Sequence, residues 1–290
     1  MASNSLGFDP VRVFSPTQSV PPIPLVLDSP HSGTRYPADF DHSCDRAQLR
    51  RAEDTDVDDL YSAAPALGAT LVCAEFPRSY IDVNRRVEDL DTDMIVGRWP
   101  HRVHHSPKTK AGIGLIWRLI DDRTPIYARQ LSIAEVEARI AQCHRPYWQA
   151  LRSAVDAAHA AHGRVFHINC HSMPAEAGSL SWIARGTKFA DVVLGDRDGT
   201  TSSAEFMQML SDAFQSEGLS VAINDPYKGV EIVKQVGKPK ENRHSIQVEL
   251  NRRLYMNEAT RERTPDYVKL KASVTRVLAR MAEFASSSPR

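Results

Sequence analysis

The stretch VFHINCHSMP at residues 165–174 decides how this chain folds. Side chains alternate faces along a strand. Phe166, Ile168 and Cys170 therefore share one face, and His167, Asn169 and His171 share the other. A strand is predicted over Val165–Asn169, with His171 at its carboxyl end, where open α/β sheets place their ligands. PLVLDSPHSG at 24–33 repeats the arrangement: an apolar run, Leu25–Leu27, precedes His31, and Pro30 and Gly33 shape a tight loop. In SIQVELNR at 245–252, Ile246, Val248 and Leu250 form an apolar face and leave Ser245, Gln247 and Glu249 opposite.

Working outward, further strands are predicted at Thr70–Phe76, Asp191–Gly195, Val221–Asn224 and Ser245–Leu250. The segment Ala47–Leu67 reads as helix. Ser132 and Glu135 form a capping box that opens a long helical stretch toward Gly163, which Pro146 kinks or divides. Ser202 and Glu205 suggest a second capping box, with Gly218 as the stop. The last helix is predicted to start near Thr264–Pro265. Alternation of strands and helices argues for a layered α/β fold. No repeat or composition break divides the chain, so residues 1–290 are expected to form one domain with its core in 20–285. The polar, turn-rich Glu88–Arg123 is expected to be an insertion or lid over a site.

Composition narrows the partners. Hydrophobic residues make up 42% and charged residues 25%, ordinary for a soluble globular protein. The 36 basic and 36 acidic residues cancel, so no net field favours nucleic acid or an anionic membrane. The basic cluster Arg98–Lys110 reads as solvated loop surface. No window approaches a membrane span. The opening MASNSLGFDP lacks a leader pattern, and the four cysteines are scattered. A small-molecule substrate and a cytoplasmic home are expected. Cys170 is expected to point into the core, away from His171.

Two histidines, nearby carboxylates and a strand-borne glutamate are what a zinc hydrolase needs. Zinc favours imidazole and carboxylate, and a catalytic site keeps one position open. His31 and His171 are the candidate imidazole ligands. The carboxylate is expected from EDTDVDD at 53–59, with Asp54 preferred and Glu53 or Asp56 as alternates. The plainer reading of that run is an acidic, solvated helix start. Glu249 can move a proton between water and a leaving amine, or simply pair with Arg252 or Arg253. SYIDVNRR at 79–86 supplies Asn84 and Arg85, whose guanidinium can hold a carboxylate through two parallel hydrogen bonds.

These residues resemble the N-formylglutamate amidohydrolase family. SPHSG at 29–33, EDTDVDDLY at 53–61, PRSYIDVNR at 77–85, HINCHSMP at 167–174, LGDRDGT at 194–200 and QVELNRRLYM at 247–256 look like its successive blocks, in family order over residues 24–258. That family looks related to zinc carboxypeptidases and aspartoacylase-like deacylases. The resemblance implies a mixed central β-sheet flanked by helices, zinc-carboxypeptidase-like (phosphorylase/hydrolase-like). It also implies zinc on His31, His171 and an acidic residue, Glu249 as general base and acid, and Arg85 on a substrate carboxylate. Arg78 or Arg118, the latter after the apolar GLIW turn, is expected to assist Arg85. The expected reaction is zinc-dependent hydrolysis of an N-acyl acidic amino acid, with N-formyl-L-glutamate first. A related deacylase or peptidase, and a silent ligand-binding homologue, are the alternatives. The chain departs from the family pattern at Thr34, Asn169, DPYKGVEI (225–232) and Trp148, positions expected near the pocket.

Overall fold

The computed structural model of the chain describes residues 6–178 and 183–287. Seven strands form one mixed sheet: β1 (Val11–Phe14), β2 (Leu25–Ser29), β3 (Thr70–Ala74), β4 (Val165–Met173), β5 (Val192–Gly195), β6 (Val221–Ile223) and β7 (Arg243–Asn251). Their order is β1-β3-β2-β4-β7-β5-β6. The centre, β3-β2-β4-β7, is parallel, and β1 and β5 join it antiparallel. The expected α/β architecture with a mixed, helix-flanked sheet is what the chain adopts.

Strand alternation sorts the core into two layers. Leu25, Leu27, Phe166, Ile168, Cys170, Ile246 and Val248 pack beneath α2 (Val57–Leu60), α6 (Ala204–Ser216) and α8 (Tyr267–Ser287). Val26, Val72 and Val165 pack on the opposite face against Tyr147, Leu151 and Val155 of α5 (Arg145–His162). That second face is polar toward the strand ends, where Asp28, His167, Asn169, His171, Ser245 and Gln247 are all buried. Buried polar groups persist only when hydrogen-bonded, and here they bond to one another, as described below.

Several elements differ from the sequence expectation. β4 and β7 outrun it because they pair with each other over nine residues, from Val165–Arg243 to Met173–Asn251, so His171 lies inside a strand. β1 was not expected; VRVF is a short edge strand registered on β3. Ala47–Leu67 is not one helix. α1 (Arg46–Leu49) and α2 are separated by Glu53 in extended conformation and Asp56 at φ 63°, in the left-handed region. Tertiary contacts override the helical propensity here: Asp54 N donates to the His31 carbonyl at 3.0 Å, and Ser32 Oγ donates to the Asp54 carbonyl at 3.0 Å. Pro146 does divide its helix. A π turn over Ile140–His144 joins α4 (Ile133–Arg139) to α5, because proline lacks the N–H of a regular turn and crowds the preceding one. The cap of α6 is Ser203 rather than Ser202, its hydroxyl accepting from Phe206 N. α8 begins at Tyr267, two residues after Pro265.

The segment 88–123 is packed into the molecule. Leu90, Leu115 and Ile116 are fully buried. Isolated bridges, Ile95 with Leu131 and Ile113 with Trp117, replace regular structure, and α3 (Pro107–Lys110) is its one α-helix. α7 (Glu231–Val236) lies on the same side of the sheet, with Ile232 and Val236 in that layer's core. Among the described residues, no helix is long and apolar enough to cross a membrane.

Candidate active site

At the carboxyl ends of β2, β4 and β7 a cavity of about 590 Å³ opens. His31 and Asp54 reach it from loops, His171 and Glu249 from adjacent strands in register. The two loops are stitched together by the bonds between residues 31–32 and 54. Gly33 permits the first loop to pass the backbone of β3's exit, since a Cβ there would lie 2.3 Å from the Phe76 carbonyl oxygen.

Three atoms converge. His171 Nδ1 lies 3.0 Å from Asp54 Oδ2, His31 Nδ1 lies 3.3 Å from the same oxygen, and the two Nδ1 atoms are 3.1 Å apart. A tetrahedral cation with bonds of about 2.0–2.1 Å holds its ligand atoms roughly 3.3–3.4 Å apart, so this triangle fits one with little adjustment. The remaining ring nitrogens face acceptors. His31 Nε2 is 2.8 Å from Asp82 Oδ1, and His171 Nε2 is 2.7 Å from Asn169 Oδ1. Such partners fix a ligand histidine's tautomer and leave its other lone pair for metal. The donor set therefore fits zinc or a similar cation, and all three side chains face the cavity.

Behind the triangle runs a buried chain of hydrogen bonds. Asn169 Nδ2 donates to Asp28 Oδ1 at 2.9 Å, which turns its Oδ1 toward His171. Asp28 also accepts from His167 Nε2 at 2.9 Å and the Tyr147 hydroxyl at 2.6 Å, and His167 Nδ1 meets Ser245 Oγ at 2.8 Å. An asparagine at 169 thus serves as a relay between a buried carboxylate and His171.

The carboxylates divide by environment. Burial pushes Asp54 upward, but hydrogen bonds to His171 and His31 and the nearby Arg78 outweigh it, holding Asp54 well below the usual carboxylate range. Arg252 Nη2 donates to its other oxygen at 2.8 Å. Breaking a buried pair on one side costs about 3–5 kcal/mol, which makes Arg252 part of what holds Asp54. Asp82 is likewise held low: burial raises it, while Arg78, Arg85 and His31 lower it further. Glu249 goes the other way. Burial raises it to about 7 and Asp54 adds to the rise, against the pull of His171. It accepts a hydrogen bond from Gln247, whose Nε2 donates at 2.9 Å, leaving Gln247 Oε1 buried and without a partner.

The alternates are engaged elsewhere. Glu53 pairs with Arg50 and accepts from the Tyr36 hydroxyl, and Asp56 pairs with Arg263. Arg252 and Arg253 pair with Asp54 and Asp191, so neither takes Glu249. Arg78 and Arg85 line the cavity. Arg78 lies over the Trp117 ring and bonds Asp82 at 2.9 Å, while Arg85 donates to the carbonyls of Ile113 and Asn84. Asn84 also lines it, with both ends of its amide in use: Oδ1 accepts from Ile232 N at 2.8 Å, and Nδ2 faces Asn169 and His171. Arg118 is not brought in; its guanidinium pairs with Asp91 at 2.9 Å and is 42% exposed. Trp148 also lies away from the cavity, donating to the Val83 carbonyl, whereas Pro226, Tyr227 and Gly229 of DPYKGVEI form part of its wall. Cys170 points into the helix-side core, where burial pushes its thiol well up.

Sequence reasoning passed over three residues. Asp82 sits inside the quoted SYIDVNRR, two residues before Asn84, whose backbone N–H it accepts at 2.9 Å. Gln247 stands two before Glu249. Lys108 lies in the basic cluster read as surface, yet it lines the cavity; nothing in its local sequence marks it.

Fold and site together are those of a hydrolase with a mixed, helix-flanked sheet and its cavity at the strand ends. A family model for N-formylglutamate amidohydrolase matches residues 23–256, and the chain belongs to that family. The N-formylglutamate deformylase of Pseudomonas putida is 28% identical over 241 residues, 81% of this chain and 83% of the relative. That of Pseudomonas aeruginosa is 26% identical over 243 residues, with the same coverage. A crystal structure of N-formylglutamate amidohydrolase from Ralstonia eutropha is 44% identical, with TM-score 0.93 over 96% of this chain and 99% of that one.

Proposed function

We propose that this chain hydrolyses the amide of N-formyl-L-glutamate to formate and L-glutamate, with zinc held by His31, Asp54 and His171. The convergence of those three donors on a cavity rich in cations carries the reading. The named activities of the relatives support the substrate, and the four free, separated thiols suit a cytoplasmic setting.

When bound, the metal supplies Lewis-acid polarisation of a carbonyl and acidifies a water molecule. The chain's own residues do the rest. Arg78 and Arg85 present N–H groups for a substrate carboxylate and fix the formyl group over the centre. Asn169 holds His171, while Asp82 holds His31. Glu249, with its proton affinity near neutrality, accepts a proton from the attacking water. It then delivers that proton to the nitrogen as the C–N bond breaks, and formate and the free amine leave. A base tuned near working pH serves both halves of the transfer.

The test is formate release from N-formyl-L-glutamate by zinc-loaded protein beside a chelated sample. Zinc-dependent release is expected. Equal rates in both samples would remove the metal from the reaction, and no release from fully loaded protein would remove the substrate.

A further inference from the structure

The loop at residues 80–85 carries Asn84 and Arg85 to the cavity and Asp82 to His31. Tyr80, Val83 and Arg85 are buried, and a buried carbonyl needs a donor. One helical unit supplies all three. Arg139 Nη1 donates to the Tyr80 carbonyl at 3.1 Å, Trp148 Nε1 to that of Val83 at 3.0 Å, and His144 Nε2 to that of Arg85 at 3.0 Å. A carbonyl only accepts, so the His144 ring carries its proton on Nε2. Burial lowers the proton affinity of that ring, against the pull of the Arg85 carbonyl, and keeps it uncharged at neutral pH.

The π turn makes this alignment. In an unbroken α-helix, residue 144 would stand roughly 140° round the axis from residue 139. A π turn closes its ring at i→i+5, so residues five apart stack as residues four apart do in an α-helix. The one over Ile140–His144 therefore brings His144 onto the face of Arg139, and Trp148 follows one turn further along α5. Arg139 also lies over the Tyr80 ring, 4.1 Å from its centroid, and fixes the start of the loop. Arg85, at the end of the loop, is gripped twice. His144 holds its carbonyl, while Nε and Nη1 at its tip donate to the Ile113 and Asn84 carbonyls at 3.1 and 2.9 Å.

We propose that His144 is a positioning residue for substrate binding: through the Arg85 carbonyl it holds the loop that aims the Arg85 guanidinium into the cavity. The π turn is the device that brings it there, an irregularity of the kind often found at functional sites. The assignment rests on the reading of Arg85 as the group that takes a substrate carboxylate. A carboxylate clamp holds ground state and transition state alike, so loosening it raises KM and spares kcat.

Two measurements separate the assignment from that reading. His144→Phe keeps a ring and removes the N–H, and His144→Gln keeps an N–H of similar reach. In zinc-loaded protein, KM for N-formyl-L-glutamate should rise about 10-fold in His144→Phe, the worth of one buried hydrogen bond, with kcat held within about threefold. It should return close to the native value in His144→Gln. Hydrogen exchange needs no turnover: main-chain amides of residues 80–86 should exchange about 10-fold faster in His144→Phe, and those of β4 should not. His144→Asn, whose donor falls short of the carbonyl, takes the place of His144→Phe should that variant not fold. An unmoved KM, a KM raised as far by His144→Gln, or unmoved exchange in residues 80–86 would each overturn the role of His144. If the native protein releases no formate while the loop loosens in His144→Phe and is held in His144→Gln, His144 keeps its role and the deformylase reading falls.

Discussion

The ends of β4 and β7 and the wall segment 88–123 face the same cavity but are held in unlike ways. His171 and Glu249 are neighbours across a parallel ladder, registered over nine residue pairs. Their spacing is a property of the sheet, and every rung below resists a shift. Lys108 and Trp117 hang on turns, isolated bridges and single backbone bonds through Ile113 and Gly112. On the function proposed above, proton transfer belongs to the stiff part, and the irregular part shapes the cavity wall beside Arg78 and Arg85. That division would let substrate choice change without disturbing proton transfer.

Substitutions at the strand ends should therefore strike turnover, and those in the wall should strike selectivity. The largest effect is expected from His171→Ala, which removes one of three donors; bound zinc, measured by atomic absorption, and formate release should fall together to background. Glu249→Gln should come next, retaining zinc while kcat falls about 10²- to 10⁴-fold, the usual worth of a positioned acid–base group. Full activity in that variant would take Glu249 out of the mechanism and erase the contrast.

Gln247→Leu sharpens the same side. As the proposed base Glu249 must be ionised, and its burial already raises its proton affinity to about 7. Removing the Gln247 N–H that favours the carboxylate raises it further. The acid limb of the kcat/KM profile should therefore move to higher pH, with activity at alkaline pH largely kept. An unmoved limb would mean that Gln247 does not tune Glu249. Arg118→Ala marks the lower bound: the side chain is spent on Asp91 outside the cavity, so kcat and KM for N-formyl-L-glutamate should both stay at their native values. A raised KM would draw the recognition wall outward to include it.

This contrast also explains what was legible in the sequence. Period-two alternation with polar residues on one face betrays a strand end, so His31, His171 and Glu249 could be picked from three short stretches. Asp54 could be named only as one of several acids. The helix expected over Ala47–Leu67 would not have singled it out, because the chain at Glu53–Asp56 leaves helical geometry to bond the His31 loop. Arg78 and Arg118 look alike in sequence, and the nearest carboxylate, Asp82 or Asp91, decides which one turns inward. Lys108 was invisible for a related reason. A basic run has no period, and whether it is solvated depends on the turn at residues 109–114, whose partners lie at Asp89 and Arg85.

Asp82 closes a circuit between the two regions. One carboxylate oxygen receives His31 Nε2, and the other receives Arg78, Arg85 and the Trp117 indole. An anion that draws the arginines toward itself leaves more of Asp82's charge to the neutral imidazole that it faces, and His31 Nδ1 becomes the stronger electron-pair donor. Occupancy of the wall and affinity at the His–Asp–His centre then form one thermodynamic cycle. Whatever factor one ligand gains from the other must be returned in equal measure, so a bare dicarboxylate should raise the chelator concentration that strips half of the metal at equilibrium.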